Sequence, residues 1–317
     1  MTPEPGQEAV VRANVATLWS APEDLRPVDA PAVATQPDIP GWVATMDADQ
    51  RVGKCMLSQL LLGDRVLVEE IRPDGWARVI AVEQPASTLD ARGYPGWLPT
   101  RQLAVHEPGP TGSDTADQDA AGSGERLVVD TASTGLHVTA GGEVRLTDVV
   151  LGTRLTSAGP AEAGWHPVRV PGHREPLWVR EEHVTSLPTR PPTADEALAV
   201  ARRLTGVAYV WGGLSPYGID CSGLVNLTWR RLGVRLSRDA HEQAGTTTDL
   251  PLGTERPGDL YFFARPGKRI HHVGIVTAVP EDGGQRRMLH ACYQHRGVVE
   301  EVLSEDRMAT LVEARRI

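Results

Sequence analysis

The sequence is poor in several features that mark whole classes of proteins. Its 317 residues include only three cysteines, Cys55, Cys221 and Cys292. This odd and small number does not make a disulfide framework, and it fits a reducing compartment. The first twenty residues carry neither a basic nor an apolar segment, so we expect no secretory signal. No apolar run approaches the length of a membrane span, and we expect a cytoplasmic protein.

Positive charge is also scarce. The chain has 32 Lys and Arg against 41 Asp and Glu, which gives a formal net charge of −9. An acidic protein offers no basic surface, so we expect neither nucleic acid nor an anionic membrane as a partner. The composition, 40% apolar and 23% charged, is ordinary for a globular protein, and the length allows two or three domains.

Residues 107–126 are small, polar and acidic, which is the composition of a flexible linker. The segments on either side of it share a pattern of Gly, Arg, Gly-Trp and a second Trp, which indicates an internal repeat. Short alternating runs between Pro and Gly turns predict a small β-barrel in each, with the tryptophans in the cores. The matched positions are Gly63 with Gly152, Trp76 with Trp165, and Trp97 with Trp178.

The C-terminal part begins after the proline-rich stretch 186–193. The segment "TADEALAVARRLTG" predicts a helix, with Thr193 as N-cap, Glu196 completing a capping box and Gly206 as the stop. Apolar residues at helical spacing follow Cys221, so we expect that thiol at the start of a second helix, where a thiolate is stabilised. The runs "PGDLYFFA", "HHVGIVTAV" and "RRMLHACYQ" predict strands.

A helix bearing a cysteine, followed by strands bearing histidines, is the arrangement that a papain-like thiol peptidase needs. His272 is the candidate base, with His271 as the alternative, since neighbouring residues on a strand face opposite ways. His290 on the next strand is the candidate third member, or a structural histidine. Cys292 could join His290 at a metal, but zinc-site spacing is absent; we expect a buried thiol, no metal and no cofactor.

Several motifs in this part carry a family resemblance. The sequences "AYVWGG", "GIDCSGLV", "SRDAHEQ", "RPGDLYFF", "HHVGIV" and "MLHAC" resemble the successive signatures of the NlpC-type family of bacterial cell-wall cysteine peptidases. The two repeats before them resemble bacterial SH3 domains. The implied fold is multidomain, with two all-β SH3-like barrels at 1–106 and 127–187, joined by a linker at 107–126. An α+β papain-like catalytic domain at 188–317 would follow.

The resemblance also implies roles for the reacting groups. Cys221 matches the nucleophile, His272 the general base and His290 the residue that orients it. Tyr209 of "AYVWGG" matches the tyrosine that forms the oxyanion site with the Cys221 backbone N–H.

Five further residues match the substrate pocket of the family. Asp220 matches the carboxylate that receives the substrate's terminal ammonium, although an Asp before a helix can also simply cap it. Ser222 matches a neighbouring polar contact, Arg238 and Asp239 match residues that shape the pocket, and Tyr94 matches a tyrosine that closes its far end. Ala240 departs from the pattern, because some relatives have Ser there.

The implied function is a cysteine endopeptidase that cleaves the γ-D-Glu to diamino-acid bond of peptidoglycan stem peptides with a free N-terminal L-Ala, as in muropeptide recycling. The expected partner is therefore a small peptidoglycan-derived peptide. One alternative is a secreted peptidoglycan hydrolase tethered by its SH3 domains, and another is a wall-peptide binding protein with a dead active site. The sequence leaves open lysine or meso-diaminopimelate as the diamino acid, and the oligomeric state.

Overall fold

The computed structural model describes residues 3–106, 124–279 and 285–317. These residues divide into two compact units. The first comprises the described residues of 1–45, 59–83 and 95–187, and the second those of 46–58, 84–94 and 188–317. Most of the predicted linker, 107–123, lies outside the described residues. Among the described residues, no helix combines the length and the apolar character that crossing a membrane requires.

The N-terminal repeats each form a seven-stranded sheet, and the strand order is the same in both. It runs β3-β2-β6-β5-β4-β1-β7 in the first and β10-β9-β13-β12-β11-β8-β14 in the second. Adding seven to each number of the first order gives the second, so the internal repeat predicted from sequence is confirmed. The strands are β1 (Glu8–Val11), β2 (Val15–Trp19), β3 (Met56–Leu61), β4 (Arg65–Ile71), β5 (Trp76–Ala81), β6 (Tyr94–Pro99), β7 (Leu103–Val105), β8 (Arg126–Val129), β9 (Ser133–His137), β10 (Val144–Val150), β11 (Arg154–Ser157), β12 (Trp165–Arg169), β13 (Leu177–Arg180) and β14 (Val184–Ser186).

The matched glycines explain part of this likeness. Gly63 and Gly152 have φ values of +87° and +80°, in the left-handed region that glycine adopts without a steric penalty. The Gly63 N–H donates to Val11 O at 2.8 Å, and the Gly152 N–H donates to Val129 O at 3.0 Å. The same turn therefore returns the chain to the end of the first strand in each repeat.

The expectation that the matched tryptophans fill the cores is wrong. All four are only half-buried. Arg180 lies over the ring of Trp165, 4.9 Å from its centroid, and Arg72 lies 5.6 Å from the centroid of Trp97. An indole covered by a guanidinium gains a cation–π contact while one edge stays in water. Aliphatic side chains fill the second repeat instead: Leu127, Val129, Leu136, Leu146, Val149, Leu155, Val168, Val170, Leu177 and Val179.

The two repeats differ most in one connection. Residues 20–55 join β2 to β3 and contain α1 (Ile39–Thr45) and 3-10 helices at Pro22–Asp24, Pro27–Val33 and Gln50–Val52, whereas residues 138–143 suffice in the second repeat. Each repeat has another 3-10 helix before its last strand, at Thr100–Gln102 and Glu181–His183. Two segments of the first repeat, 46–58 and 84–94, cluster with the second unit.

The second unit is an α+β arrangement. Its six-stranded sheet has the order β17-β22-β18-β19-β20-β21, and a two-stranded hairpin, β15-β16, precedes the main helix. The elements are α2 (Ala194–Arg202), β15 (Leu214–Ser215), β16 (Gly218–Ile219), α3 (Cys221–Arg231), α4 (Ala240–Thr246), β17 (Thr248–Leu250), β18 (Leu260–Ala264), β19 (Ile270–Ala278), β20 (Arg287–Cys292), β21 (Gly297–Val302), α5 (Glu305–Met308) and β22 (Leu311–Arg316).

The predicted elements of this unit are present. Thr193 and Glu196 form the reciprocal capping box at the start of α2. This helix ends at Arg202, before the predicted stop, and Gly206 instead takes a turn conformation with φ +84°. The strand-like runs correspond to β18, β19 and β20, and α3 begins at Cys221 as predicted.

Candidate active site

The thiol of Cys221 is held at the first residue of α3. The hairpin β15-β16 leads directly into Asp220, the N-cap residue, whose side chain accepts from the Gly223 N–H at 2.6 Å. A Cβ on Gly223 would lie 2.3 Å from Gly213 O, so only glycine lets the hairpin and the helix approach this closely. Cys221, which is about 7% exposed, therefore lies where the hairpin packs against the start of the helix.

Asp220 also forms a buried ion pair. Arg238, which is fully buried, binds it through two nitrogens, Nη1 to Oδ1 at 3.0 Å and Nη2 to Oδ2 at 2.8 Å. The Gly212 N–H donates to Oδ2 at 2.8 Å, and the Ser222 hydroxyl donates to Oδ1 at 3.2 Å. Both carboxylate oxygens are thus occupied by donors of the protein. The prediction that Asp220 receives a substrate ammonium gains no support from these contacts.

Arg238 connects further parts of the second unit. Its Nη1 also donates to Ser222 Oγ at 2.9 Å, and its Nε donates to Ser58 Oγ at 2.9 Å. Ser58 in turn donates to Gln84 Oε1 at 2.6 Å. Gln243 Nε2 on α4 donates to Ser222 O at 3.0 Å. Ser222 and Arg238, both predicted to face the substrate, therefore serve to fix the start of α3.

Two histidines lie on adjacent strands, and one of them directly precedes a residue whose backbone contacts the thiol. His272 on β19 is buried, whereas His271 is exposed, as strand alternation predicts. The backbone of Val273, the next residue, hydrogen-bonds the Cys221 thiol. His272 Nε2 lies 2.7 Å from Nδ1 of His290, which is fully buried on β20. A Cβ on Gly274 would lie 3.2 Å from His290 Cβ, so the two strands meet closely at this point.

The chain of contacts continues to a residue that sequence reasoning missed. His290 Nε2 lies 3.0 Å from Oε1 of Glu301 on β21, and Oε2 of the same carboxylate lies 2.8 Å from His295 Nε2. β20 and β21 pair with His290 opposite Val299 and Met288 opposite Glu301. Glu301 is thus the diagonal neighbour of His290 on one face. The signal was the alternation of "GVVEEV", but choosing between Glu300 and Glu301 requires the register.

Burial controls the titration of the reacting groups. It raises the pKa of Cys221 to about 12, and the charge of Asp220 acts in the same direction. Hydrogen bonds from the backbone of Val273 and Ser222 oppose this rise without cancelling it. Burial also lowers the pKa of His272 well below its usual value, with a smaller contribution from His290. The substrate-free site therefore contains a neutral thiol and a neutral imidazole, and burial outweighs the expected helix-end stabilisation of the thiolate.

Tyr209 lies next to these groups. It is buried, and it pairs with Ile219 of β16 in a parallel bridge. Burial is the main cause that raises its pKa, and the charge of Asp220 acts in the same direction. A neutral phenol beside the thiol keeps its proton available for donation.

Tyr94 and Asp239 form a separate pair within the second unit. The Tyr94 hydroxyl lies 3.3 Å from Oδ2 of Asp239, and burial raises the pKa of that carboxyl. Asp239 stands at the N-cap position of α4, but its side chain does not cap the helix. Among the residues that the structure describes, no Lys or Arg forms an ion pair with it. This half-buried carboxylate, directly after Arg238, is the one in the predicted pocket that keeps free acceptor capacity.

The structure brings together all nine predicted site residues in the second unit, in three groups. The candidate reacting groups are Cys221, His272, His290 and Tyr209. The buried network comprises Asp220, Ser222 and Arg238, and the outer pair is Tyr94 with Asp239. Across residues 3–106, 124–279 and 285–317, no group of three or more His, Cys, Asp or Glu side chains is arranged to hold a metal ion. Cys292 is buried, as expected, and accepts from Arg307 Nη2 at 3.5 Å.

The buried ion pair yields a stability prediction. Replacing Arg238 with Met leaves the carboxylate of Asp220 buried without its cation, which costs about 3–5 kcal/mol. We expect the urea midpoint of the second unit to fall accordingly, while Arg269→Met, at an exposed site, changes it little. Adding Asp220→Asn to Arg238→Met should recover part of the loss. If Arg238→Met alone unfolds like the native protein, the pair does not hold this unit together.

The histidine pair predicts an acid dependence of stability. Burial lowers the pKa of His290 to about 4, while the unfolded chain titrates near 6.5. Between these values the unfolded state binds more protons than the native state. The free energy of unfolding should therefore fall as the pH falls below about 6.5, by up to about 1.4 kcal/mol per pH unit for each buried histidine.

Urea unfolding from pH 7.5 to 4.5 measures this slope. The variant His272→Gln should flatten it relative to the native protein, and His241→Gln, at a half-exposed site, should not. If the free energy of unfolding changes equally with pH in all three proteins, His272 is not buried in its neutral form.

Comparisons with known proteins agree with this geometry. The sequence model of the NlpC/P60 family matches residues 206–316. The gamma-D-glutamyl-L-lysine dipeptidyl-peptidase of Bacillus subtilis is 31% identical over 289 residues, which cover 89% of this chain and 88% of the relative. The protein of the same name from Bacillus cereus is 28% identical over 304 residues, covering 92% of this chain and 85% of the relative.

A solved structure extends the likeness to the fold. The crystal structure of an NlpC/P60 family protein from Bacillus cereus has a TM-score of 0.82 and 26% sequence identity, with 98% of this chain and 99% of that chain covered. The likeness extends over both units, and the second unit contains a buried cysteine at a helix start and a pair of histidines in contact with each other. This chain belongs to the NlpC/P60 family and is a cysteine peptidase.

Proposed function

We propose that the protein cleaves the bond between γ-D-Glu and a diamino acid in peptidoglycan stem peptides that begin with a free L-Ala. The observation that carries this proposal is the half-buried Asp239 carboxylate. It keeps acceptor capacity for a cation, and it follows directly the arginine that fixes the helix of the nucleophile. Both relatives named above are called gamma-D-glutamyl-L-lysine dipeptidyl-peptidases, a name that fits release of a dipeptide from a free amino end.

The proposed reaction uses Cys221 as nucleophile and His272 as base. The thiol proton passes to Nδ1 of His272 as Sγ attacks the scissile carbonyl carbon, and a tetrahedral oxyanion forms. The Cys221 N–H at the helix start and the Tyr209 hydroxyl would receive the negative charge. The imidazolium then gives its proton to the leaving amine of the diamino acid, leaving a thioester. Water, losing a proton to His272, hydrolyses the thioester to a free carboxylate and restores the thiol.

A substrate amine at Asp239 accounts for selectivity by length. The carboxylate is partly withdrawn from water, so an ion pair with an ammonium there gains more than a screened surface pair. Tyr94 holds one oxygen of this carboxylate and narrows the space around it. Because Asp239 and the thiol are both tied to Arg238, their separation is fixed and can match the length of one dipeptide. An acylated or extended amino terminus would leave the carboxylate buried without a partner.

This assignment replaces Asp220 as the ammonium site. Asp220 is saturated by Arg238 and by backbone donors, so a substrate ammonium there would have to displace part of the network that positions Cys221. Asp239 offers the same charge without that cost. Ala240, where some relatives have Ser, leaves the carboxylate and the Tyr94 hydroxyl as the polar groups at this point.

We also propose that the two seven-stranded sheets are bacterial SH3 domains and that the catalytic domain spans 188–317. The shared strand order, the matched Gly turns and the Gly-Trp positions support the first assignment. A requirement for a free amine would restrict the enzyme to peptides already released from the wall, which is the chemistry of muropeptide recycling in the cytoplasm.

Peptide cleavage tests the proposed function. We expect mass spectrometry to detect release of L-Ala-γ-D-Glu from L-Ala-γ-D-Glu-meso-diaminopimelate or from its lysine counterpart. The same peptides acetylated on the alanine should remain intact. Cys221→Ala should abolish turnover with little change in unfolding. Cleavage of the acetylated peptides at the same rate would favour a wall hydrolase, and no cleavage of any peptide would favour a binding protein.

Neutralising Asp239 tests the amine site. Loss of a partly buried charge partner costs about 2 kcal/mol or more, so Asp239→Asn should lower kcat/KM for the free-amine peptide by at least about 30-fold. The discrimination against the acetylated peptide should shrink with it. Asp249→Asn, with a carboxylate that is 73% exposed, is the matched control and should leave both values unchanged. If Asp239→Asn discriminates between the free-amine and acetylated peptides as strongly as the native protein does, the substrate ammonium binds a different carboxylate.

A further inference from the structure

We propose that Glu301 is a positioning residue that fixes which nitrogen of His272 carries the proton, and thereby keeps Nδ1 free to accept the proton of Cys221. This inference rests on the proposed role of His272 as base. Glu301 touches neither the thiol nor the bound peptide in this scheme. It acts through His290 and is two hydrogen bonds away from His272.

The Glu301 carboxylate sets the direction of the first hydrogen bond in the series. An ionised carboxylate only accepts hydrogen bonds, so His290 must donate from Nε2 across the 3.0 Å contact with Glu301. A neutral imidazole has one donor and one acceptor nitrogen, so Nδ1 of His290 must then accept. The donor across the 2.7 Å contact is therefore Nε2 of His272. The remaining nitrogen of His272, Nδ1, is left with its lone pair.

Without the carboxylate, the histidine pair has no fixed direction. His290 could equally donate from Nδ1 to Nε2 of His272, and a neutral His272 would then carry its proton on Nδ1. That tautomer has no lone pair facing the thiol and cannot act as its base. Burial keeps both rings neutral, so each tautomer choice is passed along the pair. Glu301 removes the ambiguity.

Among the residues that the structure describes, the other groups near the histidines do not supply this acceptor. Arg307, whose charge lowers the pKa of both histidines, only donates, and it is placed over Phe263, 5.5 Å from the ring centroid. Glu300 is opposite Leu289 on the other face and pairs with Arg202 at 3.3 Å. His295 holds the second oxygen of Glu301 from the solvent side and so fixes the carboxylate rather than competing for His290.

Two substitutions and one matched control test the assignment. Glu301→Leu removes the acceptor, and Glu301→Gln keeps an oxygen acceptor of the same shape without the charge. Glu300→Gln removes a neighbouring ion-paired carboxylate on the opposite face. For each protein, kcat and KM are measured on the free-amine peptide. The protonated nitrogen of His272 is identified by NMR of protein labelled with ¹⁵N-histidine, with the His272→Gln spectrum for assignment.

We expect kcat to fall about 10- to 100-fold in Glu301→Leu with KM nearly constant, the range for outer partners that orient a functional imidazole. His272 should shift from the Nε2–H tautomer towards Nδ1–H. Glu301→Gln should have a kcat and a His272 tautomer population between those of Glu301→Leu and the native protein. Glu300→Gln should match the native protein in both.

A native His272 tautomer in Glu301→Leu, whatever its kcat, would overturn the assignment. If that variant does not fold, native kcat and native tautomer in Glu301→Gln would overturn it instead. The tautomer is measured without substrate. A native protein that cleaves none of the peptides would therefore count against the proposed function, while the NMR result would still decide the role of Glu301.

Discussion

The ion pair between Arg238 and Asp220 is the contact on which the rest of the site depends. Asp220 caps the helix that carries the nucleophile, and Arg238 precedes the carboxylate that we assign to the substrate amine. One pair of hydrogen bonds therefore ties the helix that carries Cys221 to the segment that carries the proposed amine site. A buried ion pair contributes little net stability, because desolvation offsets most of the attraction. Its value here lies in geometry, since apolar residues of equal volume would not hold both segments in register.

The same contact explains why two neighbouring carboxylates have different tasks. Asp220 is satisfied by a guanidinium and by backbone N–H groups, so its charge is compensated inside the protein. Asp239 is partly buried with Tyr94 as its hydrogen-bond partner, and burial raises the pKa of its carboxyl. A compensated carboxylate is structural, whereas an incompletely compensated one gains by binding an added cation. An ammonium is therefore best received one residue after the arginine.

Sequence reasoning predicted the positions of the candidate reacting residues on their helix and strands, because each of them lies in a local pattern. The helix start at Cys221 follows from apolar spacing, and the choice of His272 over His271 follows from strand alternation. Glu301 lies beyond such reasoning, because its contact with His290 depends on the register of β20 and β21. The helix cap formed by Asp220 was one of the two roles considered from sequence, but its ion pair with Arg238 was hidden, since the two residues are distant in sequence. The half-burial of Trp165 depends on Arg180 on the neighbouring strand, which no single run of residues reveals.

Two different features control the protons of this site. Hydrogen-bond direction sets which nitrogen of His272 carries the proton, and burial sets the pKa of each group. Burial favours the neutral forms of the thiol and of both imidazoles. In the proposed mechanism the thiolate and the imidazolium therefore form as the substrate carbonyl is attacked. When both imidazoles are neutral, the direction of the hydrogen bonds decides whether His272 has a free lone pair and can act as a base. Glu301 sets that direction, because a carboxylate can only accept hydrogen bonds. A carboxylate at the outer end of the histidine pair meets this need and also stabilises the imidazolium that develops during attack. The outer carboxylate thus prepares the base before substrate arrives and supports it when the proton has moved.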